Sequence, residues 1–362
     1  MRGMRAIVAI HAICAYLTPC PSAQELPASI ERYLNSQVLK NDFSGAVLVA
    51  HGGEVFIDRN FAPLSVPGSK FSDVQYKFPT GSITEQFIAG AILQLELAGR
   101  VTLDSSICKY LSGCPSQWEQ IHILHLLTHS SGLPSLEGVP SCVKDSVSQF
   151  NSSAMIAMLS ERSLLFKAGN KFNANKLDYF FLSLAIEKVS GESTAAYLKE
   201  HIFHPLKLAQ TRNLDHVPEQ NPLEIKGQVA CPHGEHATNP LSSFMMEQLY
   251  TTTGDLYRWE RALTTGKLLP KNSLDQMLTP QIEGYGFGWK ILKEFDRKVA
   301  LQNNELEPTS VSIRVYPDDD TYIIVVSRST GFSSSAISHD LGAILFGKHY
   351  PVSPNPARPS SP

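Results

Sequence analysis

Ser82-Ile83-Thr84-Glu85 stands at the head of a long apolar run, and two kinds of chemistry fit its spacing. A serine three residues before a glutamate is a capping box, in which the serine oxygen takes the third amide and the glutamate reaches back to the cap. That arrangement adds about 1 kcal/mol of helix stability and needs no reaction. The same spacing also sets a hydroxyl one helical turn from a carboxylate. Such a carboxylate is a weak base at its ordinary pKa of ~4.3, although burial can raise that value. His125 and His129, four residues apart, have the spacing of a zinc pair on a helix. Cys231-Pro232-His233-Gly234-Glu235-His236 offers metal donors with no evident fourth ligand. Asp318-Asp319-Asp320 could hold calcium but reads better as a solvated hairpin turn. The expectation is therefore no metal and no cofactor.

Periodicity supplies the elements that must position these groups. Leu26 to Leu39 carries Ile30, Leu34 and Val38 at helical spacing. Gly45–Ala50 and Glu54–Ile57 flank His51-Gly52-Gly53 as a hairpin. A helix from Ser82 to about Ala98 has apolar residues on nearly every side, which marks a central element. Further helices are predicted over 122–129, 151–161, 177–190, 194–202 and 253–265. Gly284–Trp289 leads into a strand, Ser310–Tyr316 and Tyr322–Ser327 flank a turn, and a last helix covers about 335–346. Strands at both ends with helices between them predict one sheet built from the two termini, with a helical lobe inserted.

Hydrophobic residues make up 43% of the 362 and charged residues 18%, with a formal net charge of −3. No basic stripe points to nucleic acid. Arg2 and Arg5 precede an apolar run from Ala6 to Leu17, and small residues lead to Ala23. Residues 1–23 read as a secretory leader rather than a membrane span, so the mature chain is expected to have no transmembrane segment. Without the leader, Cys108, Cys114, Cys142 and Cys231 remain for disulfides, and Cys108–Cys114 is the preferred pair across a loop containing Gly113. Residues 350–362 are too proline-rich to fold.

Taken in order, several segments resemble the β-lactamase-related serine hydrolases, which include class C β-lactamases, D-alanyl-D-alanine peptidases and kindred esterases. They are Phe78-Pro79-Thr80-Gly81-Ser82, His125 to Pro134, Gly169-Asn170-Lys171-Phe172, Ile186 to Gly191, Thr253-Gly254-Asp255-Leu256 with Trp259, and Tyr285-Gly286-Phe287-Gly288-Trp289. The resemblance covers roughly residues 28 to 347. It implies an α/β fold of the serine β-lactamase/penicillin-binding type, with an antiparallel sheet (about 40–60 and 284–330) flanked by helices and a helical lobe (about 82–280) within a domain spanning 24–349.

The resemblance also implies three motifs. In S-x-x-K a lysine one turn after the serine accepts its proton. Y-x-N supplies a tyrosine that shuttles the proton and an asparagine that orients lysine and substrate. A [K/H]-[S/T]-G strand aligns the acyl group beside the oxyanion hole. Here Ser82 keeps the nucleophile position, and Glu85 replaces the lysine. Ala174 and Lys176 stand at the tyrosine and asparagine positions. Gln302-Asn303-Asn304 stands at the third motif, with Glu305 at the oxyanion donor. A Glu85–Lys176 ion pair of reversed placement is one expectation, and a rebuilt catalyst using either residue as base for Ser82 is another. Losing a positioned base costs ~10² to 10⁴ in rate, so the pattern predicts a pseudoenzyme. Its remnant cleft would bind a peptide, cell-wall fragment, small acyl compound or protein partner, with Ala174, Gln302, Asn303, Asn304 and Glu305 at the ligand. A weak serine hydrolase acting through Ser82 is the alternative. The leader and the family together imply a bacterial periplasmic or extracellular location.

Overall fold

The computed structural model describes residues 25–41, 43–61, 71–72, 76–135, 152–213, 249–306, 309–328 and 332–348. The residues read as leader and tail lie outside these, as do Cys142, Cys231 and the segment Cys231–His236.

Helix α1 (Glu25–Asn41) turns Ile30, Tyr33 and Leu34 inward. Strands β1 (Gly45–His51) and β2 (Glu54–Phe61) form a hairpin in which Gly52 and Gly53 both take positive φ. β1 is apolar from 46 to 50 because both of its faces are covered. Ala46, Leu48 and Ala50 join one core, while Val47 and Val49 join the other. Two short strands follow, β3 (Phe71–Ser72) and β4 (Phe78–Pro79), and then a single 3₁₀ turn over Gly81–Ile83.

Helix α2 (Thr84–Leu97) is the hub of the larger core. It buries Phe87, Ile88, Ile92, Leu93 and Leu95, and only Leu97 at its end is exposed. Gly90 has a steric reason, since a Cβ there would lie 2.8 Å from the Trp259 ring. Around α2 are α3 (Ile123–Leu127), α4 (Ser152–Ser160), α5 (Lys176–Ser190), α6 (Thr194–Leu198) and α7 (His204–Leu206). Next come β5 (Arg212–Asn213), β6 (Leu249–Thr251), α8 (Thr253–Thr264) and α9 (Lys271–Met277). Cys108 and Cys114 are disulfide-bonded, with Cα atoms 5.2 Å apart.

The chain then returns to the sheet through β7 (Lys290–Glu294), β8 (Arg297–Leu306), β9 (Thr309–Tyr316) and β10 (Thr321–Ser327), and ends in α10 (Ser334–Leu345). The large sheet runs β3-β2-β1-β10-β9-β8-β7, with every pairing antiparallel. β1 pairs with β10 from Gly45↔Ser327 to His51↔Thr321, so the two ends of the chain close one sheet, as the sequence predicts. Helices α1 and α10 cover one face, and the helical lobe with α2 and α8 covers the other. A small second sheet, β4-β6-β5, borders the turn that carries Ser82. Among the described residues, no helix is long and apolar enough to cross a membrane.

Candidate functional site

Ser82 sits in the middle of the 3₁₀ turn that precedes α2. Gly81 makes this turn possible with φ +51, a conformation that costs a residue with a Cβ but not glycine. The turn is pinned from below, where the Thr80 amide and hydroxyl both donate to the Leu249 carbonyl, at 2.8 and 3.0 Å. Ser82 is half-buried, and its hydroxyl has no hydrogen-bond partner among the described residues.

The capping box does not form. Helix α2 opens at Thr84, and Ile83 precedes it without a side-chain cap. Glu85 instead turns sideways into the protein, where only 4% of it is exposed. Its Oε2 accepts from the Tyr285 hydroxyl at 2.9 Å and lies 3.4 Å from His129 Nε2. The other imidazole nitrogen, Nδ1, lies 2.9 Å from Asp178 Oδ2. The second oxygen of Asp178 accepts from the Ser131 hydroxyl at 2.5 Å. Asp178 is wholly buried on the apolar face of α5. A continuous chain of polar contacts thus runs Tyr285–Glu85–His129–Asp178–Ser131 through the interior.

Three local devices hold this chain in place. His129 lies beyond the end of α3, in left-handed backbone (φ +50), so it does not share a helix with His125. Gly132 (φ +74) lets the same loop press on the Phe166 carbonyl, which a Cβ would meet at 2.1 Å. Asn175 caps α5 through the Leu177 amide, and its side-chain amide donates to Leu133, which ties the loop to the helix. On the opposite side, Gly288 (φ +75) brings the Tyr285–Trp289 turn against the backbone of Glu85 and Gln86. A Cβ there would lie 3.0 to 3.1 Å from those atoms. Phe172 and Tyr179 close the surroundings, their rings 5.9 and 5.2 Å from the imidazole.

The electrostatics follow from this burial. Burial alone would lower the His129 pKa, but Glu85 and Asp178 together outweigh it and lift the value to about 10. His129 is therefore an imidazolium at neutral pH, held between two carboxylates. Burial pushes the Asp178 carboxyl up, against the pull of that imidazolium. Burial, reinforced by Glu85, also raises the Tyr285 hydroxyl well above its ordinary range.

His129 already carries its proton, Tyr285 keeps its own, and Glu85 is engaged by both.

The other residues singled out from the sequence fall in three places. Ala174 and Lys176 are exposed at and just before the start of α5, and Lys176 forms no ion pair with Glu85. In place of the reversed pair, Glu85 meets His129, whose ring reaches the interior. Gln302 and Asn304 lie on the cleft face of β8, opposite Ile313 and Val311 of the lobe-side core. Gln302 Nε2 donates to the Ser82 carbonyl at 3.0 Å, and Asn304 packs on Gly81. Asn303 points to the other face of the sheet, as strand alternation requires, and donates to the Ser335 hydroxyl at 3.2 Å. Of the three residues grouped at the third motif, only two therefore face the cleft. Glu305 continues β8 opposite Ser310.

Sequence reasoning missed Asp178, Ser131 and Tyr285, and weighed His129 only as half of a zinc pair. One usable signal was present, an aspartate on the apolar side of a helix, since such a carboxylate must find a partner.

A family model described as Beta-lactamase matches residues 31–345. The chain belongs to the β-lactamase family. It is 26% identical over 345 residues to penicillin-binding protein 4* of Bacillus subtilis (strain 168), spanning 88% of this chain and 76% of that protein. Protein flp of Staphylococcus aureus (strain MW2) is 24% identical over 350 residues, 91% of this chain and 68% of its own length. Among solved structures, a β-lactamase/D-alanine carboxypeptidase from Yersinia pestis aligns with TM-score 0.73 at 21% identity, covering 90% of this chain and 99% of that one. An octameric penicillin-binding protein homologue from Pyrococcus abyssi aligns with TM-score 0.72 at 23% identity, covering 91% and 79%. These structural likenesses establish the serine β-lactamase/penicillin-binding fold.

Proposed function

We propose that this chain is an exported, non-hydrolysing member of the β-lactamase family whose cleft binds an acylated amino acid or short peptide without turning it over. One observation carries this reading. The carboxylate that replaces the motif lysine is locked to Tyr285 and to a protonated His129, leaving Ser82 without a proton acceptor among the described residues. A serine hydroxyl in that state is a poor nucleophile. The names of the relatives, penicillin-binding protein and D-alanine carboxypeptidase, suggest the ligands to try first. Export rests on the residue pattern of positions 1–23.

The test is labelling with a fluorescent penicillin and a fluorophosphonate, read by intact mass. We expect no covalent adduct, together with reversible binding of an N-acyl-D-alanyl-D-alanine peptide by calorimetry. A second reading, a slow acyl-enzyme, draws on the half-exposed position of Ser82 at the mouth of α2. An adduct that disappears in Ser82→Ala would establish that reading and displace ours. Intact mass of the exported protein checks leader removal in the same experiment.

A further inference from the structure

His122 and His125 form a pair at the start of α3 that the cleft chemistry leaves unused. His122 precedes the helix, and its backbone amide donates to His125 Nδ1 at 3.1 Å, while the His122 ring faces the residue-125 amide in return. The first amides of a helix lack acceptors within it, and a glutamate or glutamine ordinarily supplies this one. Here a histidine does, and it can accept only while Nδ1 carries no proton. The two rings stack, with centroids 5.1 Å apart and planes 16° apart. His125 also holds the loop that carries His129. Its carbonyl accepts from the Ser130 amide at 2.7 Å, and its Nε2 borders Gly169, where a Cβ would lie 3.2 Å away. The Gly169 amide in turn donates to the Ser130 carbonyl at 2.8 Å. His129 itself sits at φ +50, a backbone state that persists only while its surroundings impose it.

We propose that the His122–His125 pair is an acid-sensitive latch on the cleft floor. With His125 neutral, the first turn of α3 is closed and the loop holds His129 against Glu85. A proton on Nδ1 turns the acceptor into a donor facing the His122 amide. That opens the turn and lets His129 leave Glu85, so the cleft holds its ligand near neutral pH and releases it in mild acid. The inference rests on the binding function proposed above and adds its regulation. Burial and the neighbouring His122 lower the His125 pKa, against the Gln120 backbone and Asp104, which favour the charged ring. Around it, Lys167 and Lys171 flank Gly169 as exposed cations, and the buried acidic side chain of α5, Asp178, is engaged by His129 and Ser131. The folded state therefore binds this proton less tightly than the unfolded chain, whose histidine titrates near ~6.5. The stability this contributes is complete above that pH and is lost as pH falls from there toward the lower folded value.

The test is ¹H–¹⁵N spectroscopy of the histidine rings and backbone of the full chain as pH falls from about 7.5 to 5.0, repeated in His125→Gln and His122→Ser. Glutamine keeps the acceptor of an ordinary capping box and cannot titrate, while serine supplies an ordinary N-cap and leaves His125 its proton site. At the upper pH we expect His125 Nδ1 to be unprotonated. Its protonation should move the Ser130 amide and the His129 ring with one midpoint, and His125→Gln should remove that movement. His122→Ser takes away the ring that opposes the charge, so it should raise the midpoint. By calorimetry, affinity for N-acetyl-D-alanyl-D-alanine should fall about 3- to 10-fold over this range in the unaltered chain and less than about twofold in His125→Gln, since one proton permits at most about tenfold per pH unit. Four results overturn the latch alone: a proton on His125 Nδ1 at the upper pH, titration of His125 that leaves the Ser130 and His129 signals in place, an acid response unchanged in His125→Gln, or a peptide affinity that does not vary with pH. If the peptide binds at no pH, the binding function fails, and the ring and backbone signals decide the latch by themselves.

Discussion

Two buried charge clusters sit on opposite faces of the same sheet, and they are balanced differently. Behind the sheet, Arg314 of β9 is paired with Glu294 of β7, Nε to Oε2 at 3.1 Å. Its remaining donors go to Ser312, Ser338 and the Ser335 carbonyl, while Tyr316 donates to Glu294. That is one cation to one carboxylate, and it joins α10 to the sheet. In front, the cleft floor holds two carboxylates, Glu85 and Asp178, to one imidazolium. The first cluster is structural glue. The second is an unequal arrangement standing where the family's motif places a lysine, so its cation must come from another element. The difference lies in the balance: in the cleft cluster one cation, His129, serves both acidic side chains.

The largest effect expected from breaking this balance is at the shared cation. His129→Gln leaves two buried carboxylates facing each other and should cost about 3 to 5 kcal/mol. Glu85→Gln leaves a neutral acceptor beside a still-paired His129–Asp178 and should cost only ~1 to 2 kcal/mol. In the balanced cluster, Arg314→Met and Glu294→Gln should instead cost similar amounts, each leaving one unpaired charge. Urea unfolding of the four variants measures both gaps. Equal losses at His129 and Glu85 would contradict the two-to-one charge count.

A second prediction concerns pH. The folded pKa of His129, about 10, exceeds its unfolded value of ~6.5. The folded state therefore holds the proton more tightly. The stability that this contributes is complete below pH ~6.5 and is lost as pH rises through about 10. The stability gap between the unaltered chain and His129→Gln should shrink steadily from pH 6.5 to 10.5, while the gap for Arg314→Met stays flat to pH 10. A constant His129 gap would mean that no imidazolium occupies the floor.

The smallest effect is expected at another buried carboxyl. Glu260 of α8 is 1% exposed, and its Oε1 has no partner among the described residues. Burial drives its pKa well above the ordinary carboxylate range. With no cation offsetting it among the described residues, this group is buried at least cost while protonated, and the folded state loses stability from it as pH rises above ~4.5. Glu260→Met should raise stability at pH 8 by about 1 kcal/mol, measured as a shift in the urea midpoint. A loss of stability there would show that Glu260 has a partner in solution.

The fold was legible because its cues are local. Apolar spacing marked α1, α2 and α5, alternation and turn residues marked β1, β2, β9 and β10, and their order along the chain implied a sheet closed by both ends. Helix α9 gave too weak a pattern to be placed. At the site, Ser82 and Glu85 stood out, but the partner assigned to Glu85 was wrong. Lys176 was chosen by its place in a motif, whereas the real partner comes from a loop after α3. Asn303 was grouped with its neighbours because a sequence motif is contiguous, while a strand turns alternate residues to opposite faces.

The sequence by itself determined that this is a β-lactamase family chain with a glutamate, Glu85, three residues after Ser82. It did so because that information lies in the order and identity of neighbouring residues. Only the tertiary structure decided what the replacement means. The pairing of Glu85 with His129 and Tyr285 joins residues 44 and 200 positions apart. The protonation of that imidazole depends on Glu85 and Asp178 being brought to its two nitrogens, which outweighs the cost of burial, and no local pattern encodes that packing.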